Sequence, residues 1–310
     1  MKRAHIFVYL ILICFNFSCV KKEENKAPVD ADAALDLSKF KGTGQFTYTG
    51  YSPLKDKPIG VFFHIPLQAT NQTPILIAFH GNDRSGRVCR DAFIANANQL
   101  NFIVIAPEFN DINFPGGDTY NLGNVFVDGD NPTPSTLNAE GIWTFSLIDP
   151  VFDFFKESIK SIVTSYDVFG HSAGGQFAQR LLLFKPNGKI NNMVISAPGW
   201  YTMLDTNTTF PYGTKVSPAA TYPYTYQYIK KVHIIVGEND TDPNSADLRH
   251  NEIVDKQGLN RLTRAQYFFT QTRNLAVSKN AAFNWNYQVL KNVGHDFTAT
   301  SSAGAILLYQ

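Results

Sequence analysis

Two five-residue runs, Ile75–Phe79 (ILIAF) and Phe102–Ala106 (FIVIA), contain no polar side chain and no apolar–polar alternation. A strand that is apolar at every position must be covered on both faces, and helices provide that cover in sheets of parallel strands. Similar short runs recur at Val61–Ile65, Tyr166–Phe169, Met193–Ser196, Val232–Val236 and Asn286–Leu290. Stretches with apolar residues at helical spacing lie between them. Asp149-Pro150 reads as a cap and first-turn pair opening VFDFFKESIKSIV, and Ala173–Phe184 and Ser301–Tyr309 read as further helices. Such alternation predicts an α/β fold with a mostly parallel central sheet flanked by helices.

The segments before this pattern are of another kind. Residues 1–18 combine a basic start (Lys2, Arg3) with an apolar run from Ile6 to Phe15 and small residues at the end, the layout of a signal peptide. Residues 19–40 are charged, rich in Ala and Asp, and lack apolar periodicity, which predicts a flexible tether. Residues 41–310 then form one folded domain, long enough for a single large α/β unit. Within it, Asn110–Glu140 and Pro198–Thr225 carry many Gly, Asn, Asp, Pro and Tyr residues. They are expected as long loops over the carboxyl ends of the strands, where open parallel sheets bind ligands.

Charge and cysteine content exclude several function classes. A formal net charge of +1 supplies no attraction for nucleic acid. Of the three cysteines, Cys14 and Cys19 lie at the leader, which leaves Cys89 alone in the body, expected as a packed, inert thiol with no disulfide. No Cys/His pair has zinc-site spacing. Asp240, Asp242 and Asn244 imitate the start of a calcium loop, but Ser245 stands where such a loop needs Gly and Asn251 where it needs Glu. No metal or cofactor is expected.

The chemistry concentrates at Gly170-His171-Ser172-Ala173-Gly174, which matches G-x-S-x-G, a nucleophile elbow. The stretch follows an apolar strand and precedes an apolar-periodic helix, the context such a turn requires. The glycines allow a serine on a strained turn to pass close to neighbouring backbone. Placement just ahead of a helix aims the Ala173 amide at a developing oxyanion.

A serine hydroxyl needs a base, and the base needs an orienting carboxylate. Three histidines follow Ser172: His233 inside VHIIV, His250 in the charged DLRHNEIVD, and His295 in LKNVGHDF just past the last strand. His233 reads as a packed strand residue and His250 as a solvated helix face, so His295 is the expected base. The acid belongs after VHIIVG, where Glu238, Asp240 and Asp242 are the candidates. The turn His80-Gly81-Asn82 after ILIAF offers a second oxyanion donor, the Asn82 N–H, with His80 as a structural turn residue without acid–base work.

HGN, GHSAGG, GENDTDP and VGHD occur in the order and spacing of an α/β-hydrolase, which the chain resembles from roughly Phe46 to Gln310. The phrases APEFN, YNLGNVF and GWYTM are similar to bacterial secreted hydrolases of the polyhydroxybutyrate-depolymerase and feruloyl-esterase group. The resemblance implies a serine hydrolase of carboxylic esters, small or polymeric, working through an acyl-enzyme. It favours Asp240, three residues past Gly237, as the acid. Peptide-bond hydrolysis on the same fold and a non-catalytic polymer-binding protein are the competing readings.

Two further expectations concern surroundings. Cys19 after a leader resembles the lipidated cysteine of bacterial lipoproteins, and the following KKEE is similar to surface-export signals of Bacteroidetes lipoproteins. This implies an exported, membrane-anchored protein, with plain secretion as the alternative. Trp200 and Tyr201, in the loop after MVISA, are expected to wall the substrate site, with Tyr212, Trp143, Phe126 and Tyr120 nearby, favouring short acyl or aromatic esters.

Overall fold

The computed structural model describes residues 36–310. The expected signal peptide at 1–18, the expected lipidation of Cys19 and most of the expected tether at 19–40 therefore lie outside the described residues. Eight strands, β1 (Gly42–Tyr48), β2 (Ile59–Ile65), β3 (Ile75–Phe79), β4 (Ile103–Glu108), β5 (Tyr166–His171), β6 (Ile190–Ser196), β7 (Lys231–Gly237) and β8 (Trp285–Leu290), form one sheet in the order β1-β2-β4-β3-β5-β6-β7-β8. β1 and β2 join antiparallel at one edge, and the six strands from β4 to β8 run parallel.

The unbroken apolar runs behave as their composition requires. All five residues of β3 are buried, and alternate side chains enter different cores. Ile75, Ile77 and Phe79 join the larger core on one face; Leu76 and Ala78 join a smaller one with Phe93, Phe102, Phe169 and Ala305 on the other.

The flanking helices are α1 (Gly86–Asp91), α2 (Ile94–Leu100), α4 (Ile148–Ser158), α5 (Ala173–Phe184), α7 (Arg261–Ser278) and α8 (Phe297–Tyr309), with the single turns α3 (Gly116–Thr119) and α6 (Thr225–Tyr228) in loops. Every residue of α5 is buried. Cys89 is a free, buried thiol, and burial pushes its pKa well up.

Several local expectations need correction. The helix read from Asp149-Pro150 begins at Ile148 and stops at Ser158, short of Val163. Pro150 sits in the first turn, where its missing N–H has no helical partner to lose. α8 starts a turn before Ser301 because the Asp296 carboxylate accepts from the Ala299 N–H and caps it. α7, the longest helix, went unread: its 18 residues have a weak apolar stripe, and the Asn260–Thr263 capping box sets its start. The segment around His250 is not helical. Its imidazole bridges Asp255 Oδ1 and the Pro243 carbonyl, each at 2.8 Å, across a turn. β1 also escaped, since only Phe46 and Tyr48 of its seven residues are buried.

The order of strands locates the crevice. The chain runs from β3 to β4 on one side and returns to place β5 on the other side of β3. Ligands of open α/β sheets bind at such a reversal, outside the carboxyl ends of the strands. β3 ends at Phe79, before His80-Gly81-Asn82; β5 ends at His171, before Ser172.

Candidate active site

Ser172 occupies the turn between β5 and α5 with φ 55° and ψ −118°, a conformation that L-residues rarely adopt. Strain of this kind costs about 1–3 kcal/mol and persists only where the surroundings enforce it. Here they do. The Ser172 N–H donates to the Ser196 carbonyl of β6 at 2.9 Å, and the Ser172 carbonyl accepts from the Gln176 N–H of α5. Added Cβ atoms explain the flanking glycines: one on Gly170 would lie 2.1 Å from the Gly174 carbonyl oxygen, and one on Gly174 would lie 2.2 Å from that of Phe79.

The His80-Gly81-Asn82 turn lies against the serine, with the Gly81 Cβ position 4.0 Å from Ser172 Cβ. His80 Nε2 accepts from the Phe109 N–H at 3.0 Å, so the proton is on Nδ1, which donates to the Gly81 carbonyl. Burial holds this imidazole neutral, with its pKa lowered to about 4. Among the described residues, neither the Asn82 nor the Ala173 amide N–H donates a hydrogen bond. Two unspent donors beside a serine, one at the amino end of a helix, favour negative charge there.

His295 and Asp240 come together from 55 residues apart. His295 Nδ1–H donates to Asp240 Oδ2 at 2.7 Å, with Asp240 buried and the His295 side chain 30% exposed. The acid loop and the histidine loop are stitched by the Asn239 N–H on the Val293 carbonyl and the Glu238 N–H on that of Leu290. The His295 ring packs 4.5 Å from that of His171, the residue next to Ser172, with the two planes tilted by 32°. The Ser172 hydroxyl makes no hydrogen bond among the described residues; nucleophile–base bonds are commonly long before substrate arrives. Asp242 is exposed and its Oδ1 accepts the Asn244 N–H. His233 is packed in β7.

The expected aromatic walls are not walls. Tyr201 is fully buried and stacks on Phe268 at 4.2 Å. Trp200 is 3% exposed, held between the Arg180 guanidinium at 4.2 Å and that of Arg249 at 5.0 Å. Trp143, Phe126 and Tyr120 are buried too. Their area is spent on fixing the long loops to the body. Tyr120 stacks on His80 and donates to its carbonyl at 2.6 Å, while Arg84 donates to the carbonyls of Phe109, Phe114 and Gly116. Near Ser172 polar contacts are found instead, with Asn82 Nδ2 donating to Asp247 at 3.1 Å and Asn121 donating to Gln176. A groove of about 460 Å³ lies elsewhere, between Met203–Thr208 and α7; half-buried Tyr212 lines it, but Ser172, Asp240, His295, Asn82 and Trp200 do not.

Arg84, Asp247, Gln176 and Arg261 were not singled out in the sequence. No motif marks them, since each matters through a partner distant in the chain. Among the described residues, no cluster of three or more His, Cys, Asp or Glu side chains is arranged for a metal ion.

No family model matches the sequence, and no curated protein does. Solved structures do. Poly(aspartic acid) hydrolase-1 from Sphingomonas sp. KT-1 is 32% identical with a TM-score of 0.78, over 87% of this chain and 99% of that one. LpqC, a poly(3-hydroxybutyrate) depolymerase from Bordetella parapertussis, is 27% identical with a TM-score of 0.80, over 89% and 92%. An S-formylglutathione hydrolase from Agrobacterium tumefaciens, at 14% identity and a TM-score of 0.54 over 86% and 94%, shares the fold.

Proposed function

The chain belongs to the α/β-hydrolase superfamily of serine hydrolases, and from that premise we propose that it cleaves carboxylic esters, with polymeric or oligomeric esters as its substrates. The observation that carries the reading is the Asp240–His295 hydrogen bond of 2.7 Å, with the carboxylate buried, in the same crevice as a serine on a strained turn with two free amides. Ser172 Oγ attacks the ester carbonyl and His295 Nε2 takes its proton. Asp240 holds the Nδ1–H tautomer and offsets the imidazolium charge. The Asn82 and Ala173 amides receive the oxyanion of the tetrahedral intermediate. His295 then protonates the departing alcohol, and water releases the acyl group by the same steps in reverse.

The burial of Trp200 and Tyr201 removes the argument for an aromatic acyl pocket. The polar contacts of Asn82 and Gln176 near the serine suit a substrate with a polar, repeating backbone, and the depolymerase at 27% identity supports a polyester. Amide hydrolysis is the second reading, favoured by the 32% identity to a protein named for poly(aspartic acid), whose backbone is a polyamide. Incubation with poly(3-hydroxybutyrate), poly(aspartic acid) and p-nitrophenyl esters of increasing acyl length separates the two. Release of hydroxybutyrate oligomers is expected; cleavage of the polyamide alone would install the second reading. Covalent labelling by a fluorophosphonate, lost in Ser172→Ala, identifies the nucleophile.

The proposal extends to location. Cleavage before Cys19 and a diacyl lipid on its thiol would anchor the enzyme at the cell envelope, since one acyl chain holds a protein only marginally and several hold it stably. Mass spectrometry of the mature amino terminus tests this, and a free Cys19 leaves simple secretion. Among the described residues no helix is long and apolar enough to cross a membrane.

A further inference from the structure

His171, the residue between Gly170 and Ser172, has no assigned part in the chemistry above. Its ring is buried at 4% exposure, and its centroid lies 4.5 Å from that of His295 with 32° between the planes. Two hydroxyls hold its Nδ1: Ser196 Oγ at 2.9 Å and Thr300 Oγ1 at 3.1 Å. The Thr300 hydroxyl also lies within hydrogen-bond distance of the Asp296 and Phe297 carbonyls, which anchors it to the first turn of α8. The Phe297 ring meets the imidazole in a T-shaped contact at 5.6 Å, completing the seat.

We propose that His171 is a positioning residue for the reaction: its buried neutral imidazole is the platform for the His295 ring and stabilises the imidazolium that forms when His295 takes the Ser172 proton. The inference rests on the serine-hydrolase reading of this site. A cation within about 6 Å of an aromatic face is attracted by it, and more strongly when little water intervenes. His295 carries the charge only after proton transfer, so the contact favours the transition state over the bound substrate and acts on kcat. A platform that itself became charged would repel the imidazolium. Burial, reinforced by the charges of His295 and Arg261, keeps the pKa of His171 well below its ordinary value.

Two substitutions separate the face of the ring from its hydrogen bonds. His171→Gln retains a polar group for Ser196 and Thr300 but has no ring; His171→Phe retains the ring but no nitrogen. With p-nitrophenyl acetate as substrate, His171→Gln is expected to lower kcat about 10-fold with KM changed less than about 2-fold. His171→Phe should stay within about 3-fold of the parent kcat. If both fall equally, or if His171→Gln keeps full kcat, the platform role is wrong. Circular dichroism reports whether each variant folds. Should they not, the unaltered protein still decides: the His295 ring protons must show an upfield ring-current shift in NMR spectra of histidine-labelled enzyme, and ordinary shifts would overturn the ring contact and the platform with it. Loss of p-nitrophenyl acetate turnover in Ser172→Ala is the control for the underlying reading, and its failure leaves the NMR result standing.

Discussion

Arg261 Nη1 lies 3.7 Å from Asp240 Oδ1, the carboxylate oxygen that His295 leaves free. Both side chains are almost wholly buried, and Arg261 also donates to Ser245 Oγ, with Asp242 and Asp247 adding to its negative surroundings. The guanidinium therefore attracts Oδ1 of the acid, which favours the orientation that presents Oδ2 to the histidine. Arg261→Met is expected to lower kcat about 10-fold at nearly constant KM, because a freely rotating carboxylate orients the imidazole poorly. A rise in KM alone would place Arg261 in substrate binding instead. Arg261→Lys should recover part of the loss.

The three proposed catalytic residues should fail together. Ser172→Ala and His295→Ala are each expected to cost on the order of 10⁴-fold in kcat, and the double variant little more, since a nucleophile without its base gains nothing from being present. Steady-state kinetics on a p-nitrophenyl ester checks this. Near-additive losses would argue that the residues do not act as a unit. Asp240→Asn should cost far more than Asp242→Asn, because the 2.7 Å bond to His295 belongs to Asp240.

Acid should destabilise the fold before it touches most carboxylates. Burial lowers His80 from 6.5 to about 4 and lowers His171 and His233 as well. Between about pH 6.5 and 4 the unfolded chain binds protons that the folded protein refuses, so stability falls as pH falls through that window. His80 alone accounts for up to about 3 kcal/mol of this change. Asp118 and Asp167, whose pKa values burial raises, act with the opposite sign and are relieved by acid. Urea-unfolding midpoints at pH 7.5, 6 and 5 should decline steadily. Equal midpoints at pH 7.5 and 5 would contradict a neutral, desolvated His80.

Trp200→Ala should act on stability and leave chemistry alone. Removing a ring packed between Arg180 and Arg249, 5.0 Å from Tyr212, leaves a cavity worth about 3–5 kcal/mol. Differential scanning calorimetry should show the transition lowered by about 10 °C. The kcat and KM of the folded enzyme should hold near their parent values. A KM that rises while the melting point holds would restore Trp200 to the substrate wall.

What could be read along the chain was whatever one short segment decides. ILIAF and FIVIA announce strands because covering both faces of an apolar strand is a local necessity, and β3 and β4 lie there. G-x-S-x-G announces the turn because backbone crowding at Gly170 and Gly174 tolerates no other residue. Chain order, with no distance in hand, was enough to nominate His295 and to narrow the acid to three carboxylates. The choice of Asp240 over Asp242 became geometry only when β7 and β8 paired and brought residues 55 apart within 2.7 Å. Burial was the quantity that composition could not supply. Trp200 and Tyr201 looked available for substrate because loops rich in Gly and Asn are usually exposed, yet both rings point into the body, where Arg180 and Phe268 receive them. α7 was invisible for the converse reason. Its stability comes from packing on β7 and β8 rather than from an apolar stripe that its own residues could display. Pairings between distant residues, such as His171 with His295 or Arg261 with Asp240, exist only in three dimensions, because each side chain acquires its role from the surface that folding places against it.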